Sequence, residues 1–306
     1  MDAGSVDHRV RLAAFSFLDE QTRINGEVLP YAVLHEGFVF EGRRVPLLGP
    51  QGIFKPAVLP EIPLSITTAP VVEGKARPYE DEVERDGLII YRYRGTDPQH
   101  HENVGLRRAM QLHTPLIYLF GITKGAYIPV WPAFIVGDDP SALSFRVAVD
   151  DAQAVHGDQA VFEPEADARR KYVTVLTQKR LHQRGFRERV LDAYRRVCAI
   201  CRLRHEELLD AAHILPDTHP KGEPVVKNGL SLCKLHHAAF DENILGIRTD
   251  LHVEVRLDVL EERDGPMLLH GLQEFQGAQI LVPRSEQLRP DPELLAERYE
   301  AFRKAS

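Results

Sequence analysis

The stretch NGLSLCKLHHAAFD, Asn228 to Asp241, decides how the second half of the chain folds. Within nine residues it sets a cysteine, two adjacent histidines and an aspartate: Cys233, His236, His237 and Asp241. Thirty-two residues before Cys233 stands the last cysteine of Cys198-Ala-Ile-Cys201. The C-x2-C and C-x2-H pairs together supply three thiolates and one imidazole, a complete tetrahedral set for a structural Zn2+. They use all three cysteines of the chain, an odd number that suits a metal cluster better than a disulfide framework. A closed four-ligand site builds structure and leaves no position for chemistry. His237 therefore needs another purpose. Neighbouring helical residues point about 100° apart, so His237 turns away from the ion that His236 faces. Asp241, four residues on, shares the face of His237.

Two further residues extend the pattern: His213 in DAAHILP and Asn228 at the head of the quoted stretch. The ordered set Cys198, Cys201, His213, Asn228, Cys233, His236, His237 and Asp241 resembles the HNH endonucleases, over about residues 181–250. The resemblance implies a zinc-stabilised ββα-metal fold that hydrolyses phosphodiesters. It implies His213 as general base, because a neutral imidazole accepts a proton near neutral pH. Asn228 would fix the position and tautomer of that ring. His237 would hold a catalytic Mg2+ or Mn2+, with Asp241 adding a hard oxygen ligand. One departure stands out: many relatives carry a metal ligand directly before the base, where this chain has Ala212. Asp210 is nearby, but strand alternation would point it with Ala212, away from His213.

Residues 1–150 read as mostly β, with short apolar or alternating runs such as GLIIYRYRG and GAYIPVWPAFIVGDD broken by Gly and Pro. One helix is predicted around HENVGLRRAMQLH. The segment RPYEDEVERDGLIIYRYRG, followed by NVGLRRAM, resembles the SRA domain, a PUA-like β-barrel that flips 5-methylcytosine out of duplex DNA. That resemblance implies Tyr79 and Tyr93 as aromatic planes around an extruded base, with Asp81 or Glu82 accepting from its exocyclic amine. Arg92, Arg94, Arg107 and Arg108 would hold backbone phosphates.

Residues 151–180 read as a linker, and from 181 a helical stripe of Phe186, Val190, Tyr194 and Val197 leads into the cysteines. ILGIRTDLHVEVRL reads as a strand, and a last helix starts at Asp291-Pro292. The expected architecture is α+β: a PUA/SRA-like barrel over 1–150 and an HNH nuclease domain over 181–306. The net charge of -7 hides a local excess, since Arg169 to Arg204 holds twelve Lys or Arg against Glu188 and Asp192. No apolar run is long enough for a membrane span, and the N-terminus lacks a signal-peptide core, so a cytoplasmic protein is expected. The whole reads as a DNA endonuclease restricting foreign modified double-stranded DNA in a bacterium, as a homodimer if one active site per chain cuts both strands. Two other readings remain: a non-catalytic zinc-containing DNA-binding regulator, and an HNH nuclease whose first half does not read modified bases.

Overall fold

The computed structural model describes residues 5–70, 88–150 and 164–305. The chain divides into two compact units, Met1–Leu181 and His182–Ser306.

The first unit opens on a helix, where the sequence reads as mostly β. Helix α1, Val6–Asn25, is capped by Ser5, whose hydroxyl accepts from the His8 amide. Val10, Ala14, Phe15 and Leu18 form its buried stripe, and burying each large member stabilises by about 1.5–3 kcal/mol. Arg11 lies on the same face, 1 % exposed. Its guanidinium pairs with Asp7 and donates to the carbonyls of Pro63 and Pro115, which offsets the cost of burying the charge.

Short elements follow: β1 Leu29–Pro30, α2 Tyr31–Glu36, the hairpin β2 Phe38–Phe40 and β3 Arg43–Val45, then β4 Ile53–Phe54, β5 Ser65–Thr67 and β6 Ile89–Arg92. Helix α3, His101–Gln111, falls where the apolar spacing places it. The long strands β7 Leu116–Thr123, β8 Ala126–Asp139 and β9 Ser144–Val149 complete a seven-stranded sheet. Its order is β4-β5-β7-β8-β9-β6, with β1 also paired to β8; only β5–β7 is parallel. The expected closed barrel is not formed among the described residues: β4 and β6 are the ends of the order. The two sides approach through a side chain instead, the Tyr91 hydroxyl of β6 donating to the Thr67 carbonyl of β5 at 3.4 Å.

The expected linker is also corrected. Helix α4, Pro164–Ala193, occupies much of 151–180, and the division between the units falls within it. Thr174 seats it in the first unit by accepting from the Val149 amide, and buried Arg170 pairs with Asp150 at 2.9 Å.

In the second unit β10 Leu209–His213 and β11 Gly229–Cys233 form an antiparallel hairpin, from which α5 Lys234–Asp241 leaves directly. The single strand read from ILGIRTDLHVEVRL is a second hairpin, β12 Leu245–Ile247 with β13 Val253–Val255, because a turn at Arg248–Leu251 interrupts it. Two short helices, α6 Leu257–Glu261 and α7 Pro266–Gly271, precede the last helix, α8 Pro292–Ala305.

Candidate functional site

The end of α4 carries the site. Phe186, Val190 and Tyr194 are buried against the first hairpin, as their helical spacing predicts. Gly229 permits this contact: a Cβ there would lie 2.4 Å from Cγ2 of Val190. The Tyr194 hydroxyl donates to the Gly229 carbonyl at 3.3 Å. These contacts fix β11, and β11 sets where Cys233 and α5 begin.

Cys198 and Cys201 lie on a tight turn in which the Cys198 amide donates to the Leu203 carbonyl and Arg202 takes a left-handed backbone, φ 67°. This brings the four ligand atoms of Cys198, Cys201, Cys233 and His236 within 4.8 Å of one another. Nδ1 of His236 lies 3.7 Å from Sγ of Cys198 and 3.1 Å from Sγ of Cys233, and the Cys201 and Cys233 sulfurs are 3.9 Å apart. A tetrahedral ion with bonds of about 2.3 Å to sulfur has edges of roughly 3.8 Å, so the donor set fits one. The crowded thiols also hydrogen-bond one another, driving the Cys201 thiol up and the Cys233 thiol down. The His236 ring is fixed edge-on to Phe275, with centroids 5.1 Å apart.

A second set of side chains faces a cleft of about 600 Å³ lined by His213, Asp217, His219, His237, Asp241 and Arg298, among others. His213 ends β10 and stacks on Phe186. Burial pushes its pKa below the usual imidazole value, which keeps the ring neutral, and its Nε2 is buried without a hydrogen-bond partner. His237 points Nε2 at Oδ2 of Asp241, 3.3 Å away, and Nδ1 at Oδ2 of Asp210, 3.7 Å away. Asp210 chiefly, then Asp241, raises the pKa of His237 against the effect of burial. Nitrogen and carboxylate oxygen at 3.3 Å match the roughly 3 Å between neighbouring ligands of an octahedral ion with 2.1 Å bonds. His237 and Asp241 are thus spaced to hold one.

Asn228 corrects an expectation. It is fully buried, and its amide is spent on the backbone of the following loop. Oδ1 accepts from the Leu215 amide at 2.9 Å, while Nδ2 donates to the carbonyls of Leu215 at 2.9 Å and Glu223 at 3.1 Å. It clamps residues 215–223 beside the cleft and makes no hydrogen bond to the His213 ring. That loop supplies Asp217 and His219, which motif spacing did not single out. Arg298 of α8 was also missed. It donates to the Phe240 and Asp241 carbonyls and to Oδ1 of Asn243, with its guanidinium 4.5 Å over the Phe240 ring, and so caps the end of α5. The basic run before the cysteines is partly committed internally: Arg196 pairs with Glu188, Asp192 and Glu206, and Arg187 with Glu188. Lys179, Arg180 and Arg195 remain exposed.

In the first unit, Tyr79, Asp81 and Glu82 lie outside the described residues. Tyr93 is only 2 % exposed, its ring 4.6 Å from that of Phe145 and its hydroxyl bonded to Asp138. It packs in the core and also forms part of the lining of a cavity in this unit. Arg107 is likewise engaged, pairing with the same Asp138 at 2.7 Å. Arg92, Arg94 and Arg108 are exposed; Arg94 lies 3.7 Å from Glu102 and Arg108 3.2 Å from Glu61. A cavity of about 280 Å³ opens nearby, lined by Gly52, Thr67, Pro70, Tyr91, Arg92 and Tyr127, among others. Among the described residues, no helix is long and apolar enough to cross a membrane.

Residues 198–248 match the family profile described as HNH endonuclease. No curated protein matches the chain in sequence. Among solved structures, the chain is similar to one titled modification dependent TagI restriction endonuclease, at 17 % identity and a TM-score of 0.27. That alignment covers 79 % of this chain and 82 % of the other.

Proposed function

We propose that the chain is a metal-dependent DNA endonuclease in which the second unit hydrolyses phosphodiesters and the first selects DNA carrying a modified cytosine. The observation that carries the nuclease reading is the convergence of His213, His237 and Asp241 on one cleft beside a Cys3His cluster, within an HNH domain.

Each residue then has a task. Neutral His213 takes the proton of the attacking water, and Phe186 holds its ring plane. His237 and Asp241 would hold a Mg2+ or Mn2+, which would supply Lewis-acid stabilisation of the developing charge. Asn228 acts one layer further out, fixing the loop that forms the cleft wall. The Cys3His cluster takes Zn2+ and has a structural task only: it locks α5 to the turn at Cys198. Two-strand cleavage calls for two such sites, hence a homodimer.

Selection of modified cytosine rests on the cavity of the first unit. Tyr91, Tyr93 and Tyr127 give it aromatic walls, and Arg92 and Arg94 line it as well. An extruded base needs such walls together with hydrogen-bond acceptors.

Digestion of matched plasmids, with and without cytosine methylation, in Mg2+ or Mn2+ tests both halves. Cutting confined to methylated DNA supports the full reading. Equal cutting removes the base reader and leaves the nuclease. A chain that holds its zinc, binds DNA and never cuts is the non-catalytic regulator instead.

A further inference from the structure

Ala212 occupies the strand position where a metal ligand is expected, paired with Leu230 and fully buried, so the ion side of the cleft depends on how firmly His237 is held. His237 is bracketed by two carboxylates, Asp210 at Nδ1 and Asp241 at Nε2. They differ in place. His237 and Asp241 line the cleft, whereas Asp210 is not part of its lining. Asp210 instead has cations around it: Nζ of Lys234 at 2.6 Å and Nε of Arg187 at 3.7 Å. A divalent ion added there would meet two positive charges, so Asp210 is unsuited to be a ligand itself. Its carboxylate faces Nδ1 of His237, on the opposite side of the ring from Asp241.

We propose that Asp210 is the positioning residue of the catalytic centre, holding His237 as the Nδ1–H tautomer with Nε2 directed at the ion. The inference rests on the reading of His237 as an ion ligand. A carboxylate behind a ligating imidazole fixes ring orientation and raises its basicity, and removing such a partner costs about 10–100-fold in metal affinity. At 3.7 Å the Asp210–His237 contact is slightly longer than a hydrogen bond. Lys234, immediately after Cys233 on the first turn of α5, keeps the carboxylate aimed across the end of the hairpin.

The test measures Mn2+ binding to the intact, zinc-loaded chain by electron paramagnetic resonance, without DNA, for wild type, Asp210→Asn, Asp210→Ala and His237→Ala. Zinc content and thermal midpoint establish that each variant is folded. Asp210→Ala is expected to weaken Mn2+ binding about 10–100-fold, with Asp210→Asn in between because its amide oxygen still accepts from Nδ1–H. The imidazole nitrogen coupling to bound Mn2+ should persist in Asp210→Ala and vanish in His237→Ala, and cleavage at saturating Mn2+ should recover to within a few-fold of wild type. If His237→Ala loses Mn2+ while Asp210→Ala binds it normally, the ion site stands and the role of Asp210 is overturned. Equal losses in Asp210→Ala and His237→Ala make Asp210 a ligand and also overturn it, as does cleavage that stays depressed at saturation. If His237→Ala binds Mn2+ like wild type, the ion-site reading fails and this inference with it.

Discussion

The imidazole of His213 stacks on the ring of Phe186, with centroids 4.0 Å apart and planes 18° apart. One residue ends β10 and the other lies on α4, so the proposed base is held by the packing of helix against hairpin. The same contact removes water from one face of the ring, and burial is the main cause of the lowered pKa.

The pH dependence of cleavage follows from that shift. His213 works only when neutral, and its pKa lies below the free imidazole value of about 6.5. The rate should therefore rise with pH through a midpoint below that value and level off at neutral pH, with metal kept saturating. Phe186→Leu, which hydrates the ring, should move the midpoint up towards the free value. A midpoint unmoved in a folded variant, shown by circular dichroism and zinc content, contradicts this account. Stability has the same sign: the folded state resists protonating His213, so its contribution is lost as pH falls below the unfolded value.

Loss of metal should unfold the second unit selectively. Each chain should carry one tightly held zinc ion, measurable by atomic absorption. Cys198→Ser or Cys233→Ser removes one of four ligands from a type of site whose complete binding free energy is about 10–16 kcal/mol. Near-neutral thermal melts should show one transition lost or lowered and another unchanged, because the first unit has its own cores of buried side chains.

How much of this was legible in sequence differs by residue. The Cys3His set reads directly because ligand spacing is local and chemically exclusive. Helix α1 was hidden because Arg11, a charged residue, sits on the buried stripe and breaks the apolar pattern; besides Asp7 one turn away, it is satisfied by the carbonyls of Pro63 and Pro115, distant in sequence. Asp210 was set aside by strand alternation, a rule that ignores α5, which leaves β11 at Cys233 and turns back across β10. Arg298 lies 57 residues beyond Asp241, and no local pattern announces a cap supplied from so far away.

Asn228 gives a prediction that separates a clamp from a direct partner of His213. Its amide satisfies three backbone groups in a buried place, and each group left unpaired costs about 1–3 kcal/mol. Asn228→Ala should lower the denaturant midpoint of the second unit and expose 215–223 to proteolysis. Asn228→Asp should do worse, because its carboxylate cannot donate and would face two carbonyl oxygens out of water. A variant that cuts slowly while keeping wild-type stability and protease resistance argues for a direct role at the ring.

The cavity of the first unit yields the last prediction. Gly52 forms part of its wall, and a Cβ there would already lie 2.9 Å from the Tyr91 hydroxyl. Gly52→Val therefore pushes a branched side chain into the space beside Tyr91 and obstructs entry of a base. If this cavity reads the modification, the variant's affinity for methylated duplex should fall to that for unmethylated duplex, measured by fluorescence anisotropy. Zinc content and Mn2+ binding, which belong to the second unit, should not change. Preference for methylated DNA that survives the substitution in a folded chain would place the reader elsewhere than this cavity, because a filled pocket cannot hold the base that distinguishes the two duplexes.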